Sequence, residues 1–152
     1  MAENFQWDQE LKKRGFRLTK AREIIMNLLD STAEHLSADD VYMQLHSRYP
    51  EIGLTTVYRT LELLTGVGMA VKFDFGDGRA RFELAEAYGK KPHHHHLICR
   101  SCNKIIDYND FMEEELAYIK LTEEGLENKF GFQIDGHQIQ FYGSCTDCRN
   151  QV

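Results

Sequence analysis

The stretch Gly53–Leu84, GLTTVYRTLELLTGVGMAVKFDFGDGRARFEL, changes its hydrophobic period halfway along. The first part places Leu54, Val57, Leu61 and Leu64 at helical spacing and meets a stop signal at Gly66. The second part alternates with period two. Val71, Phe73 and Phe75 on one side of a Gly-Asp-Gly turn and Ala80, Phe82 and Leu84 on the other predict a β-hairpin. Two more helical stripes lie upstream. TKAREIIMNLLDST (Thr19–Thr32) offers Thr19 as N-cap and Ala21, Ile24, Ile25, Leu28 and Leu29 as an apolar face. SADDVYMQLHSRY (Ser37–Tyr49) is capped by Ser37, turns Val41 and Leu45 inward and ends before Pro50. Three short helices followed by a two-stranded hairpin is the element order of a winged helix-turn-helix, here spanning residues 1–84. The plainer alternative is a small α+β domain with no DNA role.

The next segment, AEAYGKKP (85–92), is small, charged and broken by Gly and Pro, so it reads as a hinge linker. Beyond it come a strand HHHHLIC, a Cys-x-x-Cys turn and a strand KIIDY. A long helix from Asp110 follows, with Met112, Leu116, Ile119, Leu126 and Phe130 on one face, interrupted by Glu123. Strands FGFQI and HQIQFYG complete a second small α/β domain, residues 93–152. A domain of about 60 residues buries a limited fraction of its surface, so this one needs a metal staple, a dimer partner, or both.

Composition narrows the class. The chain has 152 residues, 42% of them hydrophobic, with nine Phe and seven Tyr, enough for packed cores. The start, MAENFQWDQELKKRG, is polar, and no apolar run approaches the roughly 18 residues of a membrane span, so a soluble, cytoplasmic protein is expected. A net charge of −6 argues against nucleic acid. The distribution argues the other way. KKRGFRLTKAR carries six cations (Lys12, Lys13, Arg14, Arg17, Lys20, Arg22) and no acid, while acidic weight sits in runs such as Glu113–Glu115. A local basic face attracts phosphates over about a Debye length whatever the total charge.

The four cysteines, Cys99, Cys102, Cys145 and Cys148, form two Cys-x-x-Cys pairs. Four thiolates at tetrahedral corners suit zinc. The alternative, two redox pairs, lacks a thioredoxin-like βαβ pattern around either. In KPHHHHLICRSC the histidine run is internal and flows into an apolar strand, which is unlike a purification tag; a solvated polar strand end is the other reading. If the strand continues through the run, His94 and His96 face one way and His93 and His95 the other. The run then serves two ions, one per face. Neutral imidazole accepts Zn, Fe, Mn, Co and Ni alike. Further donors could come from Glu83, Asp107, His35 or His137, among which spacing alone does not choose.

In order, the segments GFRLTKAR, HLSADDVY, GLTTVYRTLELL, RFEL, HHHHLICRSCNKIIDY and HQIQFYGSCTDC resemble the ferric uptake regulator (Fur) family of metal-dependent bacterial repressors, from about Gly15 to Cys148. The resemblance implies an α+β chain: an N-terminal winged helix-turn-helix and a small C-terminal α/β dimerisation domain. It implies a homodimeric transcriptional repressor and no enzyme, acting on a double-stranded DNA operator with an A/T-rich inverted repeat, without a small-molecule substrate or a membrane. Cys99, Cys102, Cys145 and Cys148 would hold a structural Zn(2+). His35, Glu83, His94, His96 and Asp107 would form a regulatory site for Fe(2+), Mn(2+) or Zn(2+), bridging the two domains. His93, His95, His137 and a helix glutamate, Glu114 with Glu113 or Glu115 as alternatives, would form an additional site. In the recognition helix Thr55, Thr56, Tyr58 and Arg59 would read DNA; Arg17 would reach a minor groove, Arg22 the backbone, and Lys72, Arg79 and Arg81 would serve as a wing. The chain departs from the family pattern in a longer linker, a longer helix after Asp110, and His95 where many members have Asp. Glu83 leans towards iron sensing and Asp107 towards peroxide sensing, while zinc sensing uses the same ligands. Outside the family, a zinc store or hydrolase is the rival, but no His-Glu-x-x-His motif is present.

Overall fold

The computed structural model describes residues 2–151, and the chain divides into two compact units, Met1–Pro92 and His93–Val152. In the first unit the order is α1 (Ala2–Lys13), α2 (Lys20–Ser31), α3 (Ala38–Leu45), α4 (Leu54–Gly66), β1 (Ala70–Asp74) and β2 (Ala80–Leu84). Thr19 caps α2 by accepting the Arg22 amide, and Ser37 caps α3 in a reciprocal capping box with Asp40. Helix α4 has Gly66 as its last residue, where the sequence placed the stop, and Val67 as its C-cap. The left-handed residue is Gly68 (φ 77°), and the Gly68 and Met69 amides donate to the Thr65 and Leu64 carbonyls in a Schellman closure. Strands β1 and β2 pair antiparallel, Ala70 opposite Leu84 and Asp74 opposite Ala80, around a loop with Gly76 and Gly78 at positive φ.

Helix α1 has no counterpart in the sequence reading, which took the N-terminus only as polar. Trp7 and Leu11, one turn apart, are fully buried with Ile25, Met26, Val41, Val57, Leu61, Leu64 and Met69. On its outer face Asp8–Lys12 and Glu10–Arg14 ion pairs span one turn each. The 85–92 segment is laid along this unit. The Trp7 indole N–H donates to the Tyr88 carbonyl at 2.9 Å, and the Lys90 amide donates to Asp30 Oδ1 at 2.8 Å. The segment expected as a hinge linker thus has hydrogen-bond partners among buried side chains of the first unit.

The second unit contains β3 (His95–Cys99), β4 (Ile105–Tyr108), α5 (Met112–Phe130), β5 (Gln140–Gly143) and α6 (Thr146–Arg149). The sheet order is β4-β3-β5, with β3 antiparallel to β4 and parallel to β5. The strand expected over FGFQI does not form among the described residues. Phe130 ends α5, Gly131 takes φ 62°, and the Ile134 amide donates to Glu127 Oε1 at 2.8 Å instead of to a ladder. HQIQFYG is a strand only from Gln140. Helix α5 buries none of its described side chains, and Phe111, Tyr118, Leu121, Phe130 and Phe132 are exposed. What this unit does bury is Ile98, Cys99, His95 and His96. Its interior is potential ligands more than hydrocarbon. No helix among the described residues is long and apolar enough to cross a membrane.

Candidate metal centres and DNA-reading face

Cys99 ends β3, Cys102 lies in the following turn, Cys145 precedes α6 as its N-cap, and Cys148 lies within α6. Parallel pairing of β3 with β5 brings the two knuckles together. The four sulfurs lie within 4.8 Å of one another, and Cys102 Sγ is 3.9 Å from Cys145 Sγ. A tetrahedron with Zn–S bonds of about 2.3 Å has edges of about 3.8 Å, so the sulfurs fit zinc, and all four cysteines are free of disulfides. Backbone amides, first that of Cys145 at 3.3 Å, donate to Cys99 Sγ and lower its thiol to about 6. The neighbouring sulfurs of Cys145 and Cys102 push Cys148 up to about 12. Four thiolates this close need a cation between them.

The histidines divide by parity although the β3 ladder begins only at His95. On one face His93, His95 and His137 turn their Nε2 atoms together. The three separations are 3.1, 3.3 and 3.2 Å. Zn–N bonds of about 2.0–2.1 Å give a tetrahedral edge of about 3.3–3.4 Å, so this triangle matches one face of a four-coordinate ion. Burial lowers the pKa of His95 most, against the Glu115 carboxylate, which raises it; this favours the neutral, ligating imidazole. The carboxylate at His95 is Glu115, not Glu114. Glu115 Oε2 lies 2.6 Å from His95 Nδ1, while Glu114 is exposed, because the start of α5 at Met112 turns residue 115 rather than 114 towards β3. Two partners were not singled out in the sequence. Tyr108 stands opposite His95 in the ladder and donates to Glu115 Oε1 at 2.9 Å. Glu123 Oε1 lies 3.0 Å from His137 Nδ1. The polar break that Glu123 makes in the apolar face of α5 was the available signal.

On the other face, His94 and His96 meet edge to face, with ring centroids 5.1 Å apart. His96 is opposite Asp107 in the ladder. Asp107 lies 3.6 Å from His96 Nε2 through one oxygen and 3.8 Å from His94 Nε2 through the other. In the first unit, an isolated bridge pairs Leu36 with Phe82, so their neighbours His35 and Glu83 come side by side, His35 Nε2 3.8 Å from Glu83 Oε2. Each unit therefore carries its own group of nitrogen and oxygen donors.

Helix α4 buries Val57, Thr60, Leu61 and Leu64 and leaves Thr55, Thr56, Tyr58 and Arg59 exposed on its first two turns. Arg17 is exposed, whereas Arg22 donates to the Arg17 carbonyl and lies 5.9 Å above the Phe16 ring. The hairpin cations are engaged within the unit: Lys72 with Glu62, Arg79 with Asp40, and Arg81 with Asp77.

A winged helix with an exposed reading face, carried with a unit built around cysteine and histidine clusters, defines a metal-responsive transcriptional regulator. The ferric uptake regulator family model matches residues 13–142. The ferric uptake regulation protein of Bacillus subtilis is 40% identical over 144 residues, covering 94% of this chain and 92% of that protein. That of Campylobacter jejuni is 37% identical, covering 93% and 85%. Among solved structures, the ferric uptake regulator of Pseudomonas aeruginosa with manganese superposes with a TM-score of 0.72 at 31% identity, over 96% of this chain and 99% of that one. The chain belongs to the ferric uptake regulator family. It is a metal-responsive transcriptional repressor that works on DNA as a homodimer.

Proposed function

We propose that the protein is an Fe(2+)-activated repressor in which one ion draws on donors from both units, His35 and Glu83 from the first and His94, His96 and Asp107 from the second. The observation that carries this is the pairing of complementary half-sets: a histidine–carboxylate pair fixed by the Leu36–Phe82 bridge, and a second histidine–carboxylate group fixed by β3–β4 register. The set is nitrogen and oxygen without thiolate, which suits Fe(2+) and Mn(2+) as well as Zn(2+). Ferric uptake regulation proteins among its relatives favour iron. Cys99, Cys102, Cys145 and Cys148 hold a structural Zn(2+), and His93, His95 and His137 an additional ion.

Binding acts by population shift. With the regulatory ion absent the winged helices sample many orientations; with it, both copies present their α4 helices to successive major grooves of an A/T-rich inverted repeat. Moving a population from 1:99 to 99:1 needs about 5.5 kcal/mol of differential binding, within reach of a histidine–carboxylate metal site. Thr55, Thr56 and Tyr58 contact bases or backbone, Arg59 guanine or phosphate, and Arg17 a minor groove. The protein acts in the cytoplasm.

The test is operator affinity and metal stoichiometry titrated with Fe(2+), Mn(2+) and Zn(2+). Fe(2+) and Mn(2+) are expected to activate binding, and His35→Ala, His94→Ala and His96→Ala to abolish that activation. His93→Ala is expected to remove a different ion. Identical metal loss in the His93 and His94 variants would end the two-face reading. Binding lost on brief peroxide exposure and not restored by fresh Fe(2+) would move the assignment to peroxide sensing. Activation by Zn(2+) alone would move it to zinc sensing.

A further inference from the structure

The side of the three-imidazole cluster away from its Nε2 triangle is held by carboxylates. Glu115 and Glu123 both belong to α5, eight residues apart and so about 12 Å along the helix axis. Glu115 Oε2 lies 2.6 Å from His95 Nδ1, and Glu123 Oε1 lies 3.0 Å from His137 Nδ1. The other oxygen of Glu115 accepts the Tyr108 hydroxyl at 2.9 Å. Both of its oxygens are thus committed within the protein. An ionised carboxylate only accepts hydrogen bonds, so a neutral imidazole that turns Nδ1 to one carries its proton there. The Nε2 lone pairs of His95 and His137, 3.3 Å apart, then face the centre of the cluster.

We propose that Glu115 and Glu123 are positioning residues for this site. Each fixes one histidine in the Nδ1–H tautomer, and α5 thereby presets the metal-facing nitrogens before an ion arrives. Tyr108 in turn holds Glu115. The proposal rests on reading His93, His95 and His137 as a metal site, and it gives Glu115 an orienting role in place of a ligating one. It also brings in Glu123, which interrupts the apolar face of α5 and is half-buried against His137. Hydrogen-bonded partners of this kind raise ligand basicity and stop ring rotation; losing one typically weakens metal affinity about 10–100-fold.

The experiment uses the full chain with its cysteine site zinc-loaded, in a His35→Ala background so that added Co(2+) reports the histidine cluster. Co(2+) affinity is measured by titration, and tautomers by nitrogen-15 NMR of the protein before Co(2+) is added. Glu123→Ala is expected to weaken Co(2+) about 10–100-fold and to shift His137 to the Nε2–H form while leaving His95 unchanged. Glu115→Ala is expected to do the reverse. Glu123→Gln, whose amide oxygen still accepts the N–H, is expected to keep the tautomer and lose less affinity. Unchanged tautomers with affinities within about twofold of the parent overturn the proposal. So does a Co(2+) spectrum in Glu115→Gln showing the loss of one ligand, which would make Glu115 a ligand. His93→Ala separates the two levels: if it still binds this ion, the metal-site reading itself fails.

Discussion

Removing the zinc from the cysteine cluster should unfold the second unit and leave the first intact. Among described residues 93–151, Ile98 and Cys99 are the apolar side chains that are buried, 3% and 5% exposed. Full burial of Ile98 contributes about 1.5–3 kcal/mol, whereas the Cys99 sulfur belongs to the metal cluster rather than to an apolar core. A structural Zn(2+) in a small domain contributes about 10–16 kcal/mol near neutral pH, several times as much. The metal is therefore the larger contribution, and the aromatic residues of α5, exposed in the single chain, add little to it. The first unit has its own core, with Trp7, Leu11, Ile25, Val41, Leu61 and Met69 fully buried, and no cysteine. The assay is amide hydrogen exchange with sedimentation, on protein stripped by a strong zinc chelator and on Cys99→Ser and Cys145→Ser. Protection should collapse in β3, β4 and β5, the dimer should dissociate, and protection in α2 and α4 should persist. A chain proven zinc-free by metal analysis that keeps protection at Leu97 and Ile98 and remains dimeric would refute the reasoning.

Arg59→Ala should cost about 1–3 kcal/mol of operator affinity with metal content and dimer unchanged, measured by fluorescence anisotropy on labelled operator. Trp7→Ala should destabilise the first unit by about 3–5 kcal/mol in denaturant unfolding, because a fully buried indole and its hydrogen bond to Tyr88 are both lost.

The elements that were legible from sequence are those in which one periodic signal coincided with one cap. Thr19 and Ser37 marked the starts of α2 and α3, and the hairpin declared itself through alternation about a glycine turn. Helix α1 was missed because its buried face is only Trp7 and Leu11 among polar neighbours, too narrow a stripe to stand out. The strand at FGFQI was overcalled because its aromatic residues satisfy a strand pattern, while Gly131 and the Glu127 carboxylate divert the backbone. The histidine parity followed from period two alone. Choosing Glu115 over Glu114 did not: neighbouring helix residues differ by about 100° of rotation, and only the observed start of α5 fixes which one faces β3.

The acidic total charge and the DNA reading are reconciled by which cations are already paired. Helix α5 alone carries Glu113, Glu114, Glu115, Glu123, Glu124 and Glu127 against Lys120 and Lys129, so much of the excess acid belongs to the metal-holding unit. In the first unit, Lys12, Lys13, Arg14, Lys20, Lys72, Arg79 and Arg81 all lie in ion pairs with carboxylates of that unit. Among the described residues, no ion pair involves Arg17 or Arg59. These two need give up no carboxylate to meet a phosphate, and they recur in both copies of a dimer. Four such contacts at about −0.9 each predict that log affinity falls with log salt at a slope of about −4. Operator binding measured across a salt series at saturating metal tests this directly. A slope near zero would remove Arg17 and Arg59 from the interface. A slope steeper than about −8 would mean that the ion-paired cations also turn to phosphate, so that structural and DNA-facing charge are not separate sets.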